Sequence, residues 1–227
     1  MQAIKIHDRE ISRILLLDDD PNIRGLYEFN LEDMNVATEE VEVVNSVRGF
    51  LAGISHADGF VCDLNLNSRK YSPVNGDVIV SALYSQQSPA VLCSRDVDNV
   101  SSVRRLRHSI PCVLDARDLN SESVRNAFEV CIREFSGDYS VFRKPWPTLI
   151  RFENIVLQTN DAVRVAVVIP GWDSQRLIEV DITKGDGDIY FSVLRAFRAG
   201  EVFRCKAIVN LEVETSRDLY IKDWNLV

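Results

Sequence analysis

Four aliphatic residues followed at once by three carboxylates and a proline, Ile14-Leu15-Leu16-Leu17-Asp18-Asp19-Asp20-Pro21, restrict this chain more than any other stretch. A short unbroken apolar run reads as a strand buried on both faces, the pattern of a parallel sheet. The carboxylates then fall at the strand's C-terminal end, and proline is favoured just inside a helix start. Clustered like charges disfavour one another's ionisation, so the cluster asks for a cation or a cationic side chain. Hard divalent ions with oxygen ligands, Mg²⁺ above all, suit it best. A solvated turn with Asp as helix N-cap is the plainer alternative, and the rest of the chain has to decide between the two.

Further along, apolar runs alternate with amphipathic stretches. Strands are predicted at Ser12 to Leu17, Val41 to Val44, Gly59 to Asp63, Pro89 to Cys93 and Pro111 to Leu114. Helices are predicted from Pro21 to about Met34, Val47 to Ile54, Val78 to Tyr84, Val97 to Arg107, and Ser121 to about Phe135 with Ser121 as N-cap. Residues 1–11 read as a polar leader. Strands alternating with helices imply a doubly wound parallel sheet covered on both faces. Ligands of such sheets sit beyond the carboxyl ends of the strands. Asp18, Asp19, Asp63 and Ser94 all lie at such ends, so residues far apart in sequence converge on one crevice.

The 227 residues, 46% hydrophobic and 26% charged, are enough for one large or two small domains with a proper core. A formal net charge of -8 argues against a nucleic-acid partner. Five cysteines, none in a CxxC pair, read as reduced core residues of a cytoplasmic protein rather than as a disulfide framework or zinc site. Neither a signal peptide nor a run long enough to span a bilayer is visible.

The texture changes after Ser136-Gly137-Asp138. The division reads as 1–138, a linker at 139–148 stiffened by Pro145 and Pro147, and a β-rich 149–227. Strand-like runs there are Ile150 to Gln158, Val163 to Ile169, Leu177 to Ile182, Ile189 to Leu194, Val202 to Leu211 and Leu219 to Trp224, with helix around Phe191 to Arg198 as an alternative. Many short strands suggest a small barrel or sandwich. All three histidines precede this part, and its one cysteine, Cys205, sits mid-strand as a core residue. Asp186-Gly187-Asp188 reads as a hairpin turn more readily than as a calcium loop. Trp172 and Trp224 are either core or partner anchors.

Over roughly residues 12–135 the chain resembles the receiver domain of two-component response regulators, in an atypical form. The resemblance rests on Asp18-Asp19 after the first strand, Asp63-Leu64-Asn65-Leu66 after the third, Ser94 after the fourth and a junction near Arg117 after the fifth. It implies that Asp63 accepts a phosphoryl group from the phosphohistidine of a sensor kinase or phosphotransfer protein. It further implies Mg²⁺ held by Asp18, Asp19, Asp63 and the carbonyl of Asn65, with Ser94 bonding a phosphoryl oxygen. The family also places a lysine, followed by proline, at the end of the fifth strand. Lys144-Pro145 matches the dipeptide but lies far beyond Ser94. Arg117 stands at close to the usual separation and is preferred, although arginine is not interchangeable with lysine.

Two further departures concern the loop from Asn65 to Gly76, lengthened with Arg69, Lys70 and Tyr71, and Leu114, which stands where a switch aromatic is usual. The expectation is a non-enzymatic signalling protein whose β-rich tail transmits the state of Asp63 to a protein target, with homodimerisation left open. A degenerate receiver acting as a phosphorylation-independent adaptor or decoy is the alternative. An enzymatic or nucleic-acid-binding tail is the weaker third.

Overall fold

The structure, a computed structural model, describes residues 3–67, 70–95 and 97–226, and of residues 97–102 the backbone alone. The chain divides into two compact units, one of residues 1–100 and 109–140, the other of residues 101–108 and 141–227.

The first unit opens on an antiparallel hairpin, β1 (Ile4–Ile6) and β2 (Arg9–Ile11), where a polar leader was expected. The turn is His7-Asp8, with His7 at a φ of 53°. The hairpin forms because Ile6 and Ile11 point into the core, 3% and 0% exposed. Three short residues of alternation were too few to stand out against the charged neighbours.

Five parallel strands follow in the spatial order β4-β3-β5-β6-β7. They are β3 (Arg13–Leu17), β4 (Ala37–Glu40), β5 (Asp58–Asp63), β6 (Ala90–Ser94) and β7 (Val113–Asp115). Taken in chain order within the sheet this is the 2-1-3-4-5 winding of the flavodoxin-like class, the doubly wound sheet expected of a receiver. The second strand had been predicted at Val41 to Val44. The structure puts it at Ala37–Glu40, because an edge strand with an exposed side needs no apolar run.

The helices are α1 (Pro21–Asn30), α2 (Val47–Ala52), α3 (Gly76–Ser85) and α4 (Ser121–Phe135). Between β6 and β7 the chain makes 3-10 turns over Val97–Ser109 in place of the predicted α-helix. The N-cap of α4 is Asn120, one residue before the expected Ser121, and its carboxamide accepts from Glu122 N and Ser123 N at 3.0 and 2.9 Å. One sheet face, with Ile14, Leu16, Val61 and Val91, packs in a cluster with Tyr27, Leu31, Phe128 and Ile132 of the helices. Burial of both faces explains why β3, β5 and β6 are uninterrupted apolar runs.

The second unit is mainly β, as expected. Its form is one antiparallel sheet ordered β10-β9-β8-β11-β12, made of β8 (Trp146–Gln158), β9 (Ala162–Ile169), β10 (Asp173–Thr183), β11 (Phe203–Val209) and β12 (Ile221–Leu226). The helix α5 (Asp188–Ala199) packs Ile189, Tyr190, Val193 and Leu194 into the sheet's core. The sequence reads Ile189 to Leu194 as strand with helix around Phe191 to Arg198 as the alternative, and the structure takes the helix. Gly187 at φ 73° and Gly200 at φ 68° bracket the helix, the latter as its left-handed C-cap. Asp186 belongs to neither a hairpin nor a calcium loop: its carboxylate accepts from Thr183 N at 2.7 Å and closes the turn before the helix.

Both edge strands of this sheet line one cavity of about 210 Å³, through Glu179 and Asp181 on one side and Lys222 and Asp223 on the other. Arg104, Arg105, Leu106 and His108 line it as well. Arg104 Nη1 donates to the carbonyl of Glu179 at 2.7 Å, and Arg105 lies 3.7 Å from Asp186. Trp172, whose indole donates to Val213 O at 2.7 Å, and Trp224, 6.1 Å from the Phe152 ring, both pack against the core. Cys205 is fully buried there, and burial pushes its thiol up to about 12.

Candidate functional site

β3 and β5 are hydrogen-bonded neighbours with Leu17 opposite Cys62, so the next residue of each, Asp18 and Asp63, leaves the sheet side by side. The chain turns from β3 to β4 on one side and has β5 on the other. This is the topological switch point, where an open α/β sheet leaves a crevice. The next strand pair sets Asp63 opposite Cys93 and Ser94 opposite Asp115. Three of the sequence-predicted residues, Asp18, Asp63 and Ser94, therefore lie at adjoining strand ends.

Asp18 is 4% exposed and already well bonded. Its Oδ1 accepts from Asp20 N at 2.8 Å and its Oδ2 from the hydroxyl of Tyr27 at 3.3 Å, while its carbonyl accepts from Arg24 Nη1 at 2.6 Å. Burial pushes its carboxyl up to about 6, helped by the charges of Asp63 and Asp19 and opposed by the Asp20 amide and the Tyr27 hydroxyl. The Asp63 carboxyl is raised too, first by burial and then by Asp19. Its Oδ2 accepts from Asn65 N at 2.7 Å, closing the turn that leaves the strand. Asp20 takes the outer role of N-cap to α1, accepting from Asn22 N at 2.9 Å. The three carboxylates thus divide: Asp20 starts the helix, while Asp18 and Asp19 bear on Asp63.

Close approach behind Asp63 requires glycine. A Cβ on Gly76, the first residue of α3, would stand 1.9 Å from the carbonyl oxygen of Asp63 and 2.9 Å from Cys62 Sγ. Gly76 N donates to Leu64 O at 2.9 Å, fastening the far end of the Asn65 to Gly76 loop to its start. The loop itself is anchored. Leu66 is fully buried and Tyr71 is 5% exposed, its hydroxyl donating to Val41 O at 2.7 Å. The Arg24 guanidinium lies 5.8 Å from the Tyr71 ring centre. Tyr71, one of the residues that lengthen the loop, is a core anchor. Lys70 is exposed at a φ of 59°, and Arg69 lies outside the described residues.

The cations fall differently from expectation. β7 ends on Asp115, the residue opposite Ser94. Arg117 N and Nε both donate to Asp115 Oδ1 at 2.9 Å, and its Nη2 pairs with Oδ2. That fork holds the Asp115 carboxyl down at about 2. The guanidinium of Arg117, itself 77% exposed, is thus committed to Asp115. Lys144 belongs to the second unit, where its ammonium lies 4.7 Å from the Trp146 ring centre. The cation that lowers the Asp63 carboxyl is Arg95, immediately after Ser94. Sequence reasoning passed over both Arg95 and Asp115. Their signal was position: one residue past the fourth strand, and the last residue of the fifth.

Among the described residues, no three His, Cys, Asp or Glu side chains are placed to share one metal ion. A cation at this crevice would therefore draw on backbone or water oxygens beside the carboxylates. The donor chemistry fits a hard divalent ion: buried carboxyls whose acidity is weakened by burial and by one another's charge. Among the described residues no helix is long and apolar enough to cross a membrane.

No protein-family model matches the chain, and no curated protein does. Solved structures similar to it include receiver domains of response regulators, which cover about half the chain and leave the C-terminal part unassigned. The receiver domain of NtrX from Brucella abortus is 19% identical, covers 53% of this chain and 98% of its own, and has a TM-score of 0.40. A response regulator receiver domain protein from Clostridium thermocellum is 15% identical over 56% of this chain and 98% of its own, TM-score 0.42. The response regulator TrrA from Thermotoga maritima, solved with Mg²⁺-BeF, is 18% identical over 52% of this chain and 99% of its own, TM-score 0.39.

Proposed function

We propose that the first unit is a signalling switch of the receiver kind, in which Asp63 accepts a phosphoryl group and the second unit passes the state to a protein target. The observation that carries this is the side-by-side exit of Asp18 and Asp63 at the switch point, with Ser94 ending the next strand. The donor is the phosphohistidine of a sensor kinase or phosphotransfer protein. A carboxylate oxygen of Asp63 attacks phosphorus, the new O–P bond forms as the P–N bond breaks, and the imidazole leaves with the electron pair.

Two carboxylates of the group Asp18, Asp19 and Asp63, with the carbonyl of Asn65 and water, would hold Mg²⁺, which when bound supplies charge neutralisation between carboxylate and phosphoryl oxygens. Tyr27 and the Asp20 amide keep the Asp18 carboxylate aimed, through bonds of 3.3 and 2.8 Å. The Ser94 hydroxyl is the donor for a phosphoryl oxygen, which draws the exit of β6 toward Asp63. Arg95 supplies the side-chain cation. The relay is a binding event between proteins, with no reaction assigned to the second unit.

One observation favours a second reading, a phosphorylation-independent adaptor. β7 ends on a carboxylate, Asp115, which holds Arg117 and adds a negative charge near Ser94.

The two readings separate in one experiment. The full chain and its Asp63→Asn variant are incubated with a small-molecule phosphodonor and Mg²⁺, and intact masses are read. A base-labile phosphoryl adduct on the parent alone is expected. No adduct on a folded parent, from the small donor or from a partner kinase, would overturn the switch and leave the adaptor.

A further inference from the structure

We propose that the outer edge of β4, together with the groove between β4 and α2, docks an extended basic peptide segment of a partner protein, which adds a sixth strand to the sheet. The inference is independent of whether Asp63 is phosphorylated.

β4 ends the sheet order and pairs on one side only, with β3. Val41 N donates to Leu16 O at 3.0 Å, so the odd-numbered residues turn their backbone groups toward β3. By alternation the N–H and C=O of Thr38 and Glu40 face outward. An outward row of such groups is a template for another strand.

Beside this edge lies a groove of about 540 Å³. Its lining includes the apolar Leu15, Phe50 and Ile54. Two further lining residues, Gly49 and Gly53, sit at the start and the C-cap of α2, one turn apart, and leave gaps in that wall beside Phe50. No residue of α2 is buried, so the helix leaves the groove open. Strand addition uses this combination: main-chain bonds along the edge, and a recess beside it for alternate side chains of the guest.

Charge selects the guest. Three glutamates, Glu39, Glu40 and Glu42, line the groove with Arg13, while Arg24 Nε pairs with Glu40 at 2.8 Å from outside the lining. Arg13 is shared: its guanidinium forks the buried Asp58 through Nε at 3.0 Å and Nη2 at 2.8 Å, and reaches Glu39 at 2.6 Å with Nη1. The surplus is negative. A second copy of this chain would bring the same glutamates to the same edge and be repelled, whereas a lysine- or arginine-bearing strand with apolar alternate residues is attracted. The edge is therefore guarded against itself and open to a basic partner.

The probe is a labelled ten-residue peptide of alternating lysine and valine, with a glutamate–valine peptide as counterpart, titrated into the full chain and read by anisotropy. The lysine peptide is expected to bind more weakly as salt rises, and the acidic one not to bind. The double variant Glu39→Gln, Glu42→Gln should weaken binding by about tenfold, while Glu122→Gln on α4 leaves it unchanged. Glutamine keeps the hydrogen-bonding shape at Glu39, and matching circular dichroism confirms that the variants are folded. Methylating alternate peptide amides should abolish binding, and hydrogen exchange should slow at Thr38 and Glu40. The proposal is overturned by any of four results: no binding up to millimolar peptide, equal binding of the acidic peptide, indifference to the glutamate changes or to amide methylation, or protection at another edge.

Discussion

Replacing Gly76 by alanine sets two physical effects against each other, and the structure says which wins. Gly76 opens α3, where alanine is the better helix former by up to about 1 kcal/mol. Propensity alone therefore makes the change stabilising. Sterics oppose it. The added Cβ would stand 1.9 Å from the carbonyl oxygen of Asp63, where ordinary contact begins at 3.4 Å, a shortfall of about 1.5 Å. The obstacle is backbone at the end of a central strand, and Cys62 Sγ at 2.9 Å closes the other way out. Overpacking a fitted core costs about 1–3 kcal/mol, sometimes more. A clash with backbone this deep takes the upper end of that range, so even after the propensity gain the balance is a destabilisation of about 2 kcal/mol, roughly thirty-fold in the folding equilibrium.

Gly25 provides the matched control. It lies inside α1, and a Cβ there meets nothing within 4 Å, so Gly25→Ala should stabilise by about 0.5–1 kcal/mol. The assay is urea unfolding of both full-length variants followed by far-ultraviolet circular dichroism. All three tryptophans lie in the second unit, so their fluorescence reads that unit separately. If Gly76→Ala proves as stable as the parent, the close packing behind Asp63 is wrong, and with it the placement of the Asp63 carbonyl.

Asn210→Ala should destabilise the second unit by about 2 kcal/mol, since three bonds are lost and the Tyr220 amide stays buried. The fully buried Asn210 carboxamide donates to Phe142 O at 2.9 Å and Asp218 O at 3.0 Å and accepts from Tyr220 N at 2.7 Å. Tryptophan fluorescence during urea unfolding checks it. Asp115→Asn changes the acid limb of stability: the Asp115 carboxyl is held at about 2, below its ordinary 3.8. A depressed folded pKa gives stabilisation that is complete above the ordinary value and lost as pH falls through the folded one. The parent should therefore lose stability more steeply than the variant between pH 3.8 and 2, with the curves converging at the acid end. Parallel curves would refute the Arg117 fork.

Where burial is two-sided, the sequence was transparent. Ile14 to Leu17, Phe60 to Cys62 and Val91 to Cys93 are apolar without interruption because both faces of those strands are covered. The carboxylates and Ser94 then stand out as the first polar residues past them. Legibility fell wherever one side is open or a segment is short. Ala37–Glu40 carries two exposed glutamates because its edge faces outward, so Val41 to Val44 looked the better strand. Ile189 to Leu194 satisfies either period, and only Gly200 in the left-handed region betrayed the helix end. Arg117 was chosen for its spacing from Ser94. Spacing cannot report that Asp115, two residues earlier, would hold it.

The assignment of residues 101–108 to the second unit has a consequence for how such a chain is inherited. The backbone passes from one unit to the other after Val100, back at Ser109, and across again after Ser140. A boundary drawn between the units cuts three peptide bonds. A single cut after Ser140 would instead leave Arg104 and Arg105 with the first unit, and the Glu179 carbonyl would lose its donor. Modules joined by a single tether can be traded between genes as cassettes. Here the chain crosses three times, so an exchange of the tail that kept the Arg104–Glu179 bond would have to carry residues 101–108 with it.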